Sequence, residues 1–323
     1  MVAGRYASAG RAAGAEIRPP SLWRLRRAVP IFPGLMSAPA PISHVSDTAR
    51  WVAVYRAMES ERPDAIFSDP YARRLAGPRG EAIVRAMPKG AQMAWPMIVR
   101  TAVMDEILMR VIAAQSIDCV LNLAAGLDAR PWRLPLPPAL RWVDVDHPEM
   151  IDYKQGAMAE EKPICDYEGV RLDLSDRTAR TALFARIGAA SRQVLVITEG
   201  LLVYLTSESV SELAKDLHDQ ASFRNWLLDL ASPALLKYLE KTWGTSMAAA
   251  PFQFAPAESS AFFAPFGWRE AEWRSQFHES IRLKRTFPMA RFWNFVSRFT
   301  SRRKREEFNR FSGILLLERS ETR

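Results

Sequence analysis

The segment Cys119-Val120-Leu121-Asn122-Leu123, running directly into Ala124-Ala125-Gly126, constrains this chain more than any other. Five mostly apolar residues are too few for a helix and dense enough for a strand buried on both faces. The small residues that follow form a turn where a backbone can approach a ligand that a branched side chain would exclude. Short runs of the same kind recur at 140–145, 169–172, 193–198 and 225–230, with a last one at 313–318. The stretches between them are long enough for helices. Strands alternating with helices predict an α/β fold, a doubly wound and mostly parallel sheet.

Ahead of the first strand the chain reads as helical. Ser46-Asp47-Thr48 can cap a helix that carries Trp51, Val54, Tyr55 and Met58 at helical spacing. A longer pattern over 97–114 presents Ile98, Ala102, Met104, Ile107, Leu108 and Val111, and Pro63, Pro70 and Gly77-Pro78 punctuate the segment between the two. Beyond residue 232 the sequence turns aromatic and irregular. The expected plan is one domain over 37–323: a helical part at 37–116, a cofactor-binding core at 117–231, an inserted helical cap at 232–290, and a helix and strand at 291–323.

The net charge of +8 is concentrated at one end, because the first 35 residues hold six arginines against Glu16 alone. A surplus of only three remains on residues 36–323. That argues against a nucleic-acid partner. Residues 1–36 are expected to be a disordered or mis-assigned extension, with translation beginning at Met36; an Arg-rich transit peptide is the second reading. The charge run at 301–305 reads as a solvated helix face. No apolar run reaches the roughly 18 residues of a membrane span, the longest candidate being interrupted by Glu199. Cys119 and Cys165 stand alone and the four histidines are scattered, so neither a disulfide framework nor a metal site is expected, and a cytoplasmic location fits.

In an open doubly wound sheet, ligands lie outside the carboxyl ends of the strands, so strand ends are where function is sought. Asp146 follows Gly126 by twenty residues at the end of Trp142-Val143-Asp144-Val145-Asp146, a spacing that lets a carboxylate accept from both hydroxyls of an adenosine ribose. Asp144 points to the same side and is the structural candidate of the pair. Asp173 beside Leu174 offers an acceptor and an apolar surface for adenine, and Glu199 interrupts an otherwise apolar strand end. A dinucleotide needs a glycine-rich cradle for its pyrophosphate, and this turn has one glycine. S-Adenosylmethionine, with a sulfonium and an ammonium, suits a turn surrounded by acids such as Asp128 and Glu199.

Several segments together, taken in chain order, resemble the leucine carboxyl methyltransferase-like family, and within it the bacterial branch of S-adenosylmethionine-dependent O-methyltransferases. They are Ser46-Asp47-Thr48-Ala49-Arg50-Trp51, Glu61-Arg62-Pro63-Asp64-Ala65, Asp69-Pro70-Tyr71-Ala72-Arg73, Arg100-Thr101, Asn122 to Pro131, Val145-Asp146-His147-Pro148 and Thr198-Glu199-Gly200-Leu201. The resemblance covers about residues 45–205 and implies a Rossmann-like class I methyltransferase fold. It implies Arg100 on the methionyl carboxylate, Gly126 against the methionine, Asp146 on the ribose, Asp173 and Leu174 at adenine, and Glu199 near the methionyl portion. Ala125 stands where the family usually has glycine, and Ala129 where threonine is common. The expected reaction is methyl transfer to a carboxylate or hydroxyl oxygen of a small-molecule or carboxyl-bearing acceptor. An NAD(P)-dependent oxidoreductase and a non-enzymatic binding module are the alternatives. No catalytic base is assigned, Tyr204 and His147 being available without either being chosen.

Overall fold

The computed structural model describes Ile42, His44 and residues 46–87, 90–290, 292, 295 and 299–320. The expected extension at 1–36 lies outside the described residues. Seven strands form one sheet in the order β3-β2-β1-β4-β5-β7-β6. They are β1 (Cys119–Leu123), β2 (Arg141–Asp146), β3 (Asp166–Arg171), β4 (Val194–Thr198), β5 (Phe223–Ala231), β6 (Trp268–Ser275) and β7 (Ser312–Arg319). The first five pair in parallel, and β7 runs antiparallel to both β5 and β6.

Burial follows from the alternation of side chains along each strand. Cys119, Leu121 and Leu123 of β1 pack into the cluster built with α6 (Arg177–Ala190) and α7 (Ser207–His218), where Phe184, Ile187, Leu213 and Leu217 cover that face. Val120 points the other way, into a cluster with Val99, Val103, Ile107 and Val111 of α3 (Ala94–Gln115). With helices on both faces, β1 and β4 are buried at every residue. Of the 3.6-residue pattern that predicted a helix over 97–114, Met104, Ile107, Leu108 and Val111 lie in this sheet-side cluster, whereas Ile98 packs with α1 and α2.

The chain enters through α1 (Ser46–Ser60) and α2 (Ala72–Ala86), which pack against each other. Gly77-Pro78 punctuates this stretch as expected. Gly77 takes φ 60°, ψ −178°, which is not helical, and divides α2 into two helical pieces that meet at a kink. Between the strands lie α4 (Arg130–Arg133) and α5 (Pro148–Ala157), followed later by α8 (Pro233–Trp243), α9 (Gln276–Arg282) and α10 (Arg302–Asn309).

The segment expected as a helical cap at 232–290 contains α8, an irregular stretch, a 3-10 helix at Ser259–Phe266, and then β6. Its aromatics divide accordingly. Phe263 and Trp268 are fully buried against Trp226 in the core, whereas Phe252 and Phe254 reach a cleft at the carboxyl end of the sheet. β6 escaped the sequence reading because it is an edge strand in which Arg269, Glu270, Glu272 and Arg274 are interspersed along its length, so it has no apolar run.

The turn after β1 holds two left-handed residues, Ala124 at φ 52° and Gly126 at φ 50°. The position that calls for glycine is therefore Ala124, one residue before the alanine singled out in the sequence. A Cβ in that conformation costs roughly 1–2 kcal/mol, part of which returns as chain entropy when glycine replaces it. Ala124→Gly is expected to raise the unfolding free energy by about 1 kcal/mol, read from the midpoint of urea denaturation at constant slope. A lowered midpoint would contradict the strain.

Candidate functional site

The strand order reverses between β1 and β4, since the connection after β1 leads to β2 on one side and that after β4 leads to β5 on the other. The crevice between their carboxyl ends is where a doubly wound sheet opens to a ligand. A cleft of ≈ 530 Å³ lies there, lined by the turn 124–128, by Asp146, by 172–175, by Glu199 and Gly200, and by the first turns of α1.

Arg100, on α3, is the cation at its centre. Its Nε donates to Glu199 Oε1 at 2.9 Å and its Nη1 to Asp229 Oδ2 at 3.1 Å. Gly200 makes room for this guanidinium, because at φ 65° a Cβ there would stand 3.1 Å from Arg100 Nη1. Its N–H donates to Asp229 Oδ1 at 2.6 Å. Arg130, 2% exposed, connects the same group outward through Nη2 to Glu199 at 2.9 Å, Nη1 to Asp128 at 2.7 Å and Nε to Asp105 at 2.6 Å. Burial desolvates the Arg100 guanidinium, but Asp229 and Glu199 outweigh it and hold its pKa above the ordinary value. Burial likewise works against charge on Asp128 and Glu199, yet Arg130 overrides it at both, with Lys154 also acting on Asp128 and Arg100 on Glu199, and both carboxyls stay below their usual range.

Asp146 ends β2 in the cleft. Its Oδ2 accepts from Gly126 N–H and its Oδ1 from His147 N–H, both at 2.7 Å. This carboxylate therefore ties the glycine turn to the start of α5, while burial moves its pKa upward. Asp144, two residues earlier, is wholly buried. It accepts from Lys154 Nζ at 2.6 Å, Trp142 Nε1 at 2.8 Å and Asn122 Nδ2 at 3.0 Å, and belongs to the frame beneath the cleft. Asp173 lies exposed on the cleft rim, with Oδ1 accepting from Ser175 N–H, which pulls its pKa down. Leu174 packs half-buried against the core, and its carbonyl accepts from Arg180 Nη1.

All six residues singled out from the sequence thus line one cleft. Asp229 was missed. Its signal was present, an acid alone in Trp226-Leu227-Leu228-Asp229-Leu230, but only the pairing of β4 with β5 reveals that it faces Arg100. Thr101 was quoted without a role. It is 1% exposed in the cleft wall, and its Oγ1 has no hydrogen-bond partner.

Of the two groups available as a base, Tyr204 stacks on Phe252 with ring centroids 5.7 Å apart, and burial pushes its pKa up to about 12. It is a protonated phenol at neutral pH. His147 caps α5 beside Asp146, at the opposite side of the glycine turn from Glu199.

The family model described as leucine carboxyl methyltransferase matches residues 49–218, more than half of the chain. The chain belongs to that family. Among its relatives is a Saccharopolyspora erythraea protein carrying a provisional S-adenosyl-L-methionine-dependent methyltransferase name, 35% identical over 193 residues, or 55% of this chain and 64% of that one. A Mycobacteroides abscessus protein with the same kind of name is 36% identical over 174 residues, covering 51% and 56%. The chain thus spans less than two thirds of the length of these curated relatives. Two solved structures share the fold at a TM-score of 0.54. One is a DUF574 family protein from Streptomyces avermitilis, 11% identical and covering 84% of this chain and 97% of that one. The other, from Thermobifida fusca and provisionally titled a methyltransferase, is 14% identical and covers 89% and 100%.

Asp128 and Glu199 have folded pKa values below the ordinary 3.8 and 4.5. They contribute stability that is complete above about pH 5 and is lost as the pH falls through their folded values. Urea midpoints are expected to hold between about pH 5 and 7 and to decline below about pH 4, and Asp128→Asn to flatten that decline. A variant with an unaltered acid profile would remove Asp128 from the linkage.

Proposed function

We propose that this chain is an S-adenosylmethionine-dependent methyltransferase acting on an oxygen of a small-molecule or carboxyl-bearing acceptor. The observation that carries the reading is the charge arrangement of the cleft, in which Glu199 and Asp229 flank Arg100 while Asp128 and Asp146 border the glycine turn. A ligand with a sulfonium, an ammonium and a carboxylate has a partner there for each charge. The unpartnered Thr101 hydroxyl beside Arg100 adds a buried polar atom with capacity to spare.

In this reading Arg100 meets the methionyl carboxylate through Nη2, its other nitrogens being held by Glu199 and Asp229. Gly126 leaves space for the methionine. Asp146 receives the ribose hydroxyls on the lone pairs that Gly126 and His147 do not use. Asp173 accepts from the adenine amine, and Leu174 lies against the ring. When bound, the cofactor supplies a methyl group on a leaving group that is already activated. The protein's part is then to hold the acceptor oxygen about 3 Å from that carbon, in line with the breaking bond. Trp51, Leu239, Trp243, Phe252 and Phe254 give the remaining wall an apolar character that excludes water from such an approach.

A carboxylate acceptor is ionised at neutral pH and needs no base. That accords with a cleft in which Tyr204 can donate a hydrogen bond but not take a proton. The oxidoreductase alternative loses support from the turn itself. The helix that follows it, α4, is four residues long and begins Arg130-Pro131, so it offers few free backbone N–H groups to a pyrophosphate.

Calorimetric titration with S-adenosylmethionine is expected to give saturable binding, with NADH giving none. Asp146→Ala should weaken binding by about 1–3 kcal/mol, roughly ten- to a hundredfold. A parallel urea curve separates this loss from disturbance of the turn that Asp146 ties. Full affinity in a folded Asp146→Ala protein would refute the ribose assignment, and no heat with the native protein would refute the reading as a whole.

A further inference from the structure

The connection from β6 to β7 carries a feature that the cleft does not use. Ser275 at the end of β6 pairs with Gly313 at the start of β7, and Ala231 at the end of β5 pairs with Ser312, so the connection leaves and re-enters the sheet at the carboxyl end of the parallel strands, where the cleft opens. In this connection Met289, Phe292, Phe295 and Phe299 are 62%, 52%, 55% and 76% exposed. They are the four most exposed large hydrophobic side chains among the described residues. Phe292 and Phe295 are helical, and the rings of Phe295 and Phe299 touch edge to face.

The same segment concentrates charge. Residues 284–310 hold nine lysines and arginines against Glu306 and Glu307, a surplus of seven. Residues 36–323 together carry a surplus of three, so outside this segment they are net acidic. Arg302, Arg303, Lys304 and Arg305 are all exposed in the first turn of α10, and Arg302 and Lys304 have no acidic partner among the described residues. A solvated helix face accounts for the basic run but not for three exposed phenylalanines immediately before it.

We propose that this connection is a docking surface for an anionic lipid bilayer, with the phenylalanines entering the interface and the basic run lying on the headgroups. Aromatic side chains on one face and a cationic cluster beside them are the two components of interfacial attachment, the first supplying apolar area and the second attraction to acidic lipid. No helix among the described residues is long and apolar enough to cross a membrane, so the contact is with the surface. α8 starts from the same end of the sheet and exposes Lys237 and Tyr238. The cleft mouth would then face the bilayer, from which an apolar acceptor could enter.

The test is co-sedimentation of the full chain with vesicles of phosphatidylcholine alone, and of phosphatidylcholine with about 30% phosphatidylserine, at about 0.1 M salt. Binding is expected to the acidic vesicles only, to weaken as salt is raised, and to fall at least about tenfold in Phe295→Ser/Phe299→Ser. Replacing Arg302, Arg303, Lys304 and Arg305 with glutamine should abolish the preference for phosphatidylserine. The arginines of residues 1–35 are present in every variant and cannot account for a difference between them. Thermal unfolding of the variants should match the parent, since the altered side chains are exposed. The proposal fails if both variants bind as the parent does, or if the parent binds neither vesicle. It fails equally if sedimentation velocity shows the phenylalanines joining two copies of the chain without any vesicle binding. None of these readouts depends on methyl transfer, so the methyltransferase reading and this one can fail separately.

Discussion

Buried guanidinium groups linked by carboxylates hold the centre of this molecule in one arrangement. Arg100 comes from α3, Glu199 from the end of β4 and Asp229 from β5, while Arg130 joins Glu199 to Asp128 and Asp105. Leaving any of these charges without its partner in so dry a place would cost several kcal/mol, so each fixes the rotamers of the others. Their net contribution to stability is smaller than their number suggests, because each ion had first to leave water. What they secure is geometry. A helix on one face of the sheet is held against the ends of two strands, and the cleft between them inherits that rigidity.

Much of this was legible in the sequence, for identifiable reasons. Period-two and continuous apolar runs located β1, β2, β4, β5 and β7, and period 3.6 located α1 and α3, because each of these elements is buried along a full face. β6 lay beyond such reasoning. An edge strand satisfied by ion pairs, such as Arg269 with Glu318, shows no apolar pattern. The cleft residues were legible because they sit where strands end. Asp229 was not, since its place opposite Arg100 depends on the register between β4 and β5, which local pattern does not encode.

The two aspartates of β2 show how far spacing reaches. Alternation places Asp144 and Asp146 on one side of the strand, and only the surroundings tell them apart. Lys154 and Trp142 close over the first, whereas backbone N–H groups leave the second open to the cleft. In the same way, a tally of small residues in the turn treats Ala124 and Ala125 alike, but φ sets them apart.

A Cβ placed on Gly126 would lie 3.0 Å from the Cβ of Ala49. The first turn of α1 therefore rests on the turn that forms the floor of the cleft, and Ser46, Thr48 and Ala49 act as its roof. A ligand seated between them is sandwiched by two segments more than seventy residues apart in the chain. In the proposed reading, exchange of that ligand would involve α1 as well as the turn beneath it, and substitutions on the outward side of α1 would alter exchange rates without touching the residues below.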